Sequence, residues 1–148
     1  MTTESIESRL REAGLRVTGP RTAVYNLLKS LGGHHSADDL AQRLEAEGTG
    51  MSRASVFNVL NDLSSAGLIM LSDAGPGRAF YEASDKWHHH FVCRGCGEIF
   101  DVPCATGRKP CLTPRLPGDG FSVDEAQVIF RGYCPACNPE IAPGIVMA

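Results

Sequence analysis

Two Cys-x-x-Cys units, Cys93-Arg94-Gly95-Cys96 and Cys134-Pro135-Ala136-Cys137, constrain this chain more than any other feature. A turn of that spacing lets both thiolates reach one ion, and four thiolates at tetrahedral angles match structural zinc. The gap between the units is wide for a compact zinc finger. However, residues 88–93, 98–102 and 125–133 read as strands, and pairing the first with the last brings the two units together. A redox Cys-x-x-Cys or two separate disulfides would use the same residues without needing both units at matching strand ends. The chain holds six cysteines. Its N-terminus, MTTESIESRL, carries acids and no apolar h-region, so it does not read as a signal peptide. No apolar run is long enough to span a membrane. The expected compartment is therefore the cytoplasm, where clustered thiols serve metal or redox chemistry rather than a disulfide framework. Cys104 and Cys111 are left over, as a reversible disulfide, alternative ligands or plain loop thiols.

The first 70 residues have a different texture. Residues 4–13 read as a short helix ending at Gly14. Thr18 caps a second helix with Pro20 in its first turn, where a missing N–H costs little. Val24, Leu27, Leu28 and Leu31 form its apolar stripe at i, i+3, i+4, i+7. Ser36 opens a third helix and Ser52 a fourth, the latter burying Val56, Val59, Leu60 and Leu63 and ending at Gly67. Residues 68–71 and 78–82 flank Asp73-Ala74-Gly75-Pro76-Gly77, strong turn chemistry, and predict a β-hairpin. Helices followed directly by a hairpin are the layout of a winged helix-turn-helix, whose second helix of the motif enters the DNA major groove.

These readings predict an α+β chain: a winged-helix DNA-binding domain over residues 1–83, a small metal-binding domain over 84–137, to which the family resemblance given below adds dimerisation, and a flexible tail over 138–148. Residues 103–120 contain four prolines and read as a loop. Charge argues against nucleic acid: the net charge is −3, whereas such domains are usually basic. Positive charge must then be gathered on one face, and binding must be salt-sensitive.

His88-His89-His90 enters the first Cys-x-x-Cys unit on a strand, so His88 and His90 share a face and His89 points away. Imidazoles near carboxylates make a nitrogen/oxygen site for a first-row metal. Glu82 and Asp101 are candidate carboxylates, and His34 completes the set. His35 fits the spacing equally well, and a solvated polar strand is the plain alternative for the three adjacent histidines.

The residues that carry a family resemblance are now in place: Gly14-Leu15-Arg16-Val17-Thr18-x-x-Arg21, His34, Ala37-Asp38-Asp39-Leu40, Ser55-Val56-Phe57-x-x-Leu60-x-x-Leu63-x-x-Ala66-Gly67-Leu68, His88-His89-His90-x-x-Cys93-x-x-Cys96-Gly97 and the second cysteine unit. Together they resemble the ferric uptake regulator family over nearly the whole chain. Asp101-Val102-x-Cys104-Ala105-x-Gly107-x-x-Pro110-Cys111-Leu112 and Asp124-Glu125-Ala126-x-Val128-Ile129 look like its actinobacterial FurA/CatR branch. That resemblance implies an N-terminal winged helix, a C-terminal α/β dimerisation domain with a four-cysteine zinc site, and a regulatory iron(II) or manganese(II) held by His34, Glu82, His88, His90 and Asp101. It also implies a peroxide-responsive repressor of catalase-type oxidative-stress genes, with iron or zinc uptake control as the alternative. Two departures matter. At the positions of a further metal site found in iron-responsive members stand Trp87, His89, Arg108 and Tyr133, mostly poor ligands, which fits a one-site sensor. Where the family often has Tyr-Arg, this chain has Phe57-Asn58.

The expected partners are a second copy of the chain and a palindromic double-stranded operator, because a two-fold dimer doubles its contacts on such a site. Arg53, Ser55, Phe57 and Asn58 are the candidate DNA-facing residues of the fourth helix, with Arg53 and Asn58 suited to base edges and Phe57 to a thymine methyl. Phe57 is alternatively a dimer or domain contact. Arg16 and Arg21 are candidates for phosphate. A metallohydrolase or thiol–disulfide oxidoreductase would need a positioned nucleophile or a zinc-free cysteine unit at a helix N-terminus. Neither is evident, so no enzymatic activity is expected.

Overall fold

The computed structural model describes residues 4–83, 88–104 and 114–141. The chain divides into two compact units, Met1–Ser84 and Asp85–Ala148.

The first unit runs α1 (Ile6–Glu12), α2 (Gly19–Leu31), α3 (Ala37–Ala46), α4 (Arg53–Ser65), β1 (Met70–Asp73) and β2 (Ala79–Glu82). Each helix starts where a hydroxyl accepts an otherwise orphaned backbone N–H. Ser5, Thr18, Ser36 and Ser52 are the N-caps, accepting from the N–H of Ser8, Arg21, Asp39 and Ser55. Gly67 follows α4 with φ 76°, a conformation that strains any residue bearing a Cβ. The helices pack around Leu10, Val24, Leu28, Leu40, Leu44, Val56, Leu60 and Leu63, all fully buried. The hairpin is antiparallel and pairs Met70 with Glu82 and Asp73 with Ala79. The first hairpin strand lies two residues later than the sequence suggests, because Ile69 is drawn into the helical core rather than the ladder. Four helices and a hairpin in this order make a winged helix, in which α4 directly precedes the hairpin.

The second unit is a three-stranded sheet in the order β4-β3-β5, with β3 (His88–Cys93), β4 (Ile99–Pro103) and β5 (Ile129–Gly132). β4 pairs antiparallel to the central strand and β5 parallel to it. β5 is shorter than residues 125–133 suggest. At its entrance Val128 donates its N–H to His89 Nδ1 (3.2 Å) and accepts from the His90 N–H (3.3 Å), so the chain joins the sheet only there. Of the proline-rich segment 103–120, Pro103 belongs to β4 rather than to a loop, paired with His88, and residues 114–120 hold no helix or strand. Residues 138–141, at the start of the expected tail, form a turn closed by the Ile141 N–H on Asn138 O (3.1 Å).

Candidate metal centres and DNA-facing surface

The strand pairing seen in the second unit explains how cysteines so far apart in sequence meet. Cys93 ends the central strand opposite Gly132 of β5, and the chain turns two residues later to place Cys134 beside it. The Cys134 N–H donates to Cys93 Sγ (3.3 Å), as does the Cys96 N–H (3.5 Å). Cys96 Sγ and Cys134 Sγ are 3.9 Å apart, and all four sulfurs lie within 4.8 Å of one another. A tetrahedral zinc with Zn–S bonds of about 2.3 Å sets its sulfurs roughly 3.8 Å apart. The donors are therefore spaced for that ion. The backbone N–H groups of Cys134 and Cys96 pull the Cys93 thiol down to about 6. Cys137, crowded first by Cys134 and then by burial, is pushed up to about 12. Four sulfurs in this space resist carrying four negative charges on their own, and a divalent cation would relieve that repulsion. All four cysteines are free of disulfides. Cys104, in contrast, is disulfide-bonded, and Cys111 lies outside the described residues.

The nitrogen and oxygen donors fall into two sets, one per unit. In the first unit a single antiparallel bridge joins His35 to Tyr81, with N–H···O distances of 3.0 and 2.8 Å in the two directions. The bridge sets the residue before His35 beside the residue after Tyr81, and His34 Nε2 lies 2.6 Å from Glu82 Oε2. It also separates the two histidines that spacing left equivalent. The His35 ring is used locally, its Nε2 on Gly32 O (2.6 Å) and its Nδ1 on Asp39 (3.1 Å). Burial raises the Asp39 carboxyl, but hydrogen bonds from Arg43 and His35 outweigh it and hold the pKa below its usual value. In the second unit His90 faces Asp101 across the β3–β4 ladder. His88 Nε2 stands 3.3 Å and His90 Nε2 3.9 Å from Asp101 Oδ1, and the two rings meet edge-on at 4.8 Å. Both rings are buried. His89 projects from the other face and is occupied by Val128.

On the first unit, Arg53, Ala54, Ser55, Phe57, Asn58 and Asn61 form the exposed face of α4. A cleft of about 390 Å³ runs between Phe57, the start of α3 and the wing turn. Arg16 is exposed. Arg21 is held by Asp62 of α4 (3.1 Å) and by the Arg16 carbonyl (2.8 Å), tying the start of α2 to α4. Two residues that sequence reasoning passed over belong to the same surface. Arg78 in the wing lies with its guanidinium over the Phe80 ring, 5.6 Å from the centroid, a pairing that i, i+2 spacing on a strand could have signalled. Asp38 pairs with Arg53, and no local pattern announces that contact.

A winged helix followed by a small sheet with clustered thiols and imidazole/carboxylate sets is the build of a metal-responsive transcriptional regulator. Comparison with known proteins specifies it further: residues 12–109 match the model of the ferric uptake regulator family. The transcriptional regulator FurA of Mycobacterium tuberculosis is 42% identical, covering 88% of this chain and 88% of its own length. The ferric uptake regulation protein 2 of Mycolicibacterium fortuitum is 36% identical, covering 96% of this chain and 97% of its own length. Among solved structures, the ferric uptake regulator of Pseudomonas aeruginosa with manganese aligns with a TM-score of 0.69 at 29% identity, covering 88% of this chain and 98% of that one. The chain belongs to the ferric uptake regulator family. It is a metal-responsive transcriptional regulator and not an enzyme. Among the described residues no helix is long and apolar enough to cross a membrane.

Proposed function

We propose that this regulator is a homodimeric repressor that binds palindromic operator DNA when a regulatory iron(II) or manganese(II) is bound, and that it controls catalase-type genes in response to peroxide. The observation that carries the reading is the donor chemistry. His34 with Glu82, and His88 and His90 with Asp101, offer only imidazole and carboxylate groups, which suit manganese or iron(II). In this reading one ion takes His34 and Glu82 from the first unit and His88, His90 and Asp101 from the second. Such a shared ion fixes the angle between the units and so the spacing of the two reading helices in a dimer. Metal and operator then favour one state, and each tightens binding of the other. Cys93, Cys96, Cys134 and Cys137 hold a separate, structural zinc.

Pairing of two copies is supported by an aromatic row across the other face of the sheet, where Phe100, Phe91 and Phe130 stand side by side. Phe100 and Phe130 are exposed. Bound iron(II) would supply the reduction of peroxide, and His34 and His88 are the expected sites of added oxygen.

Fluorescence anisotropy of the zinc-loaded protein on labelled DNA from its own promoter, titrated with manganese(II), tests the reading. A metal-dependent rise that unrelated DNA does not match is expected. Tight promoter binding without metal dependence would discard the metal control. Mass spectrometry of the iron form after peroxide separates the signals. Added oxygen on His34 or His88 is expected, whereas unmodified histidines with a peroxide-insensitive complex would favour control of iron uptake.

A further inference from the structure

The DNA-facing surface carries an ion pair that stability does not explain. Arg53 opens α4, Asp38 lies in the first turn of α3, and the Arg53 guanidinium donates through Nη2 to Asp38 Oδ1. Both side chains stand largely in solvent, 67% and 54% exposed. A surface pair of this kind contributes little to folding and orders two side chains that water would otherwise solvate. Ser36 already caps α3, through the Asp39 N–H (3.1 Å), so Asp38 is not needed for that. Asp38 lines the cleft beside Phe57 and the wing turn, and Asp38 and Arg53 together line a smaller neighbouring cleft with Met51.

We propose that Asp38 is a positioning residue that presents Arg53 to a guanine in the major groove, so that the pair sets sequence specificity; this rests on the reading of α4 as the DNA-binding helix. A guanidinium carries five donors in a planar fork. One edge held by Asp38 leaves the remaining N–H groups aligned for guanine O6 and N7, the two acceptors that distinguish this base. The carboxylate has a second effect. It offsets the arginine's charge and repels phosphate, so an Arg53 held this way is a poor non-specific contact and a good base contact. The two effects have opposite signs for operator and unrelated DNA, which a merely structural role of Asp38 would not produce.

The test selects binding sites from a pool of random double-stranded DNA with the full-length, zinc- and manganese-loaded protein, as wild type, Arg53→Ala and Asp38→Asn. The wild type is expected to enrich a motif with one guanine per half-site whose preference vanishes in Arg53→Ala. In Asp38→Asn that preference falls at least about fivefold, other positions keep theirs, and affinity for unrelated DNA equals or exceeds that of the wild type. Replacing the guanine by 7-deazaguanine, which lacks the N7 acceptor, weakens wild-type binding and leaves Arg53→Ala unaffected. Identical preferences for Asp38→Asn and wild type would overturn the proposal, as would an equal loss at every sequence or an Arg53-sensitive position that is not guanine. A wild type that enriches no sequence would remove the DNA-binding reading itself, and this inference with it.

Discussion

Replacing the hydroxyl at the head of α4 separates what that helix needs to fold from what its proposed DNA-binding role needs. Ser52 Oγ accepts the Ser55 N–H at 3.1 Å and lies 2.9 Å from the Ser55 hydroxyl. Ser52→Ala strands that N–H and costs about 1 kcal/mol, the usual worth of an N-cap. For a unit of this size each kcal/mol moves the melting temperature by roughly 4–8 °C. All four helices of the described residues lie in the first unit, so the far-ultraviolet helical signal of the intact, zinc-loaded protein reports its unfolding. Ser52→Ala is expected to melt lower by that amount. Ser52→Asp caps as well as serine and should melt like the wild type, yet it adds a negative charge beside Arg53 on the surface assigned to DNA. Its affinity for promoter and unrelated DNA alike should fall, and the loss should shrink as salt is raised. An unchanged melting temperature for Ser52→Ala would refute the capping argument. Wild-type DNA affinity for a fully stable Ser52→Asp would refute the placement of phosphate near the start of α4.

Further outcomes follow from the second unit and the metal ligands. Cys134→Ser removes one of four sulfurs while keeping the backbone N–H that donates to Cys93 Sγ, so zinc content by atomic absorption should fall from one ion per chain towards none, whereas an unchanged content would dismiss the shared site. His35→Ala, at a ring already engaged by Gly32 and Asp39, should change manganese affinity less than about threefold, while His90→Ala should lower it at least about tenfold, the scale on which removing even a supporting group weakens a metal site. His89→Leu strands the Val128 N–H and should destabilise the sheet by about 1–3 kcal/mol without altering manganese stoichiometry; loss of the ion in that variant would place His89 among the ligands. Phe130→Glu should shift the sedimentation coefficient from dimer to monomer, and a persistent dimer would move the interface off the aromatic row.

Much of the fold is legible because it is written in local chemistry. Thr18, Ser36 and Ser52 mark helix starts that the structure uses, and Gly14 and Gly67 take the positive φ their positions require. The cysteine spacing gives the thiolate cluster, because a Cys-x-x-Cys turn leaves its sulfurs few places to point. What escaped depends on contacts between distant residues. Leu68 and Ile69 are apolar like strand residues, yet Ile69 is buried among the helices and the ladder begins at Met70. The shortness of β5 follows from the Val128 N–H going to the His89 side chain. Spacing treats His34 and His35 alike, and only the bridge to Tyr81 distinguishes them. Asp38 and Arg53 are fifteen positions apart on two helices, a contact no periodicity predicts.

Calorimetric titration of manganese(II) into the zinc-loaded protein tests whether one regulatory ion takes ligands from both units, as proposed. Wild type should bind one regulatory ion per chain, and His34→Ala in the first unit and His90→Ala in the second should each lose that same ion. Two independent sites, each surviving the mutation made in the other unit, would mean that no ion is shared between the units.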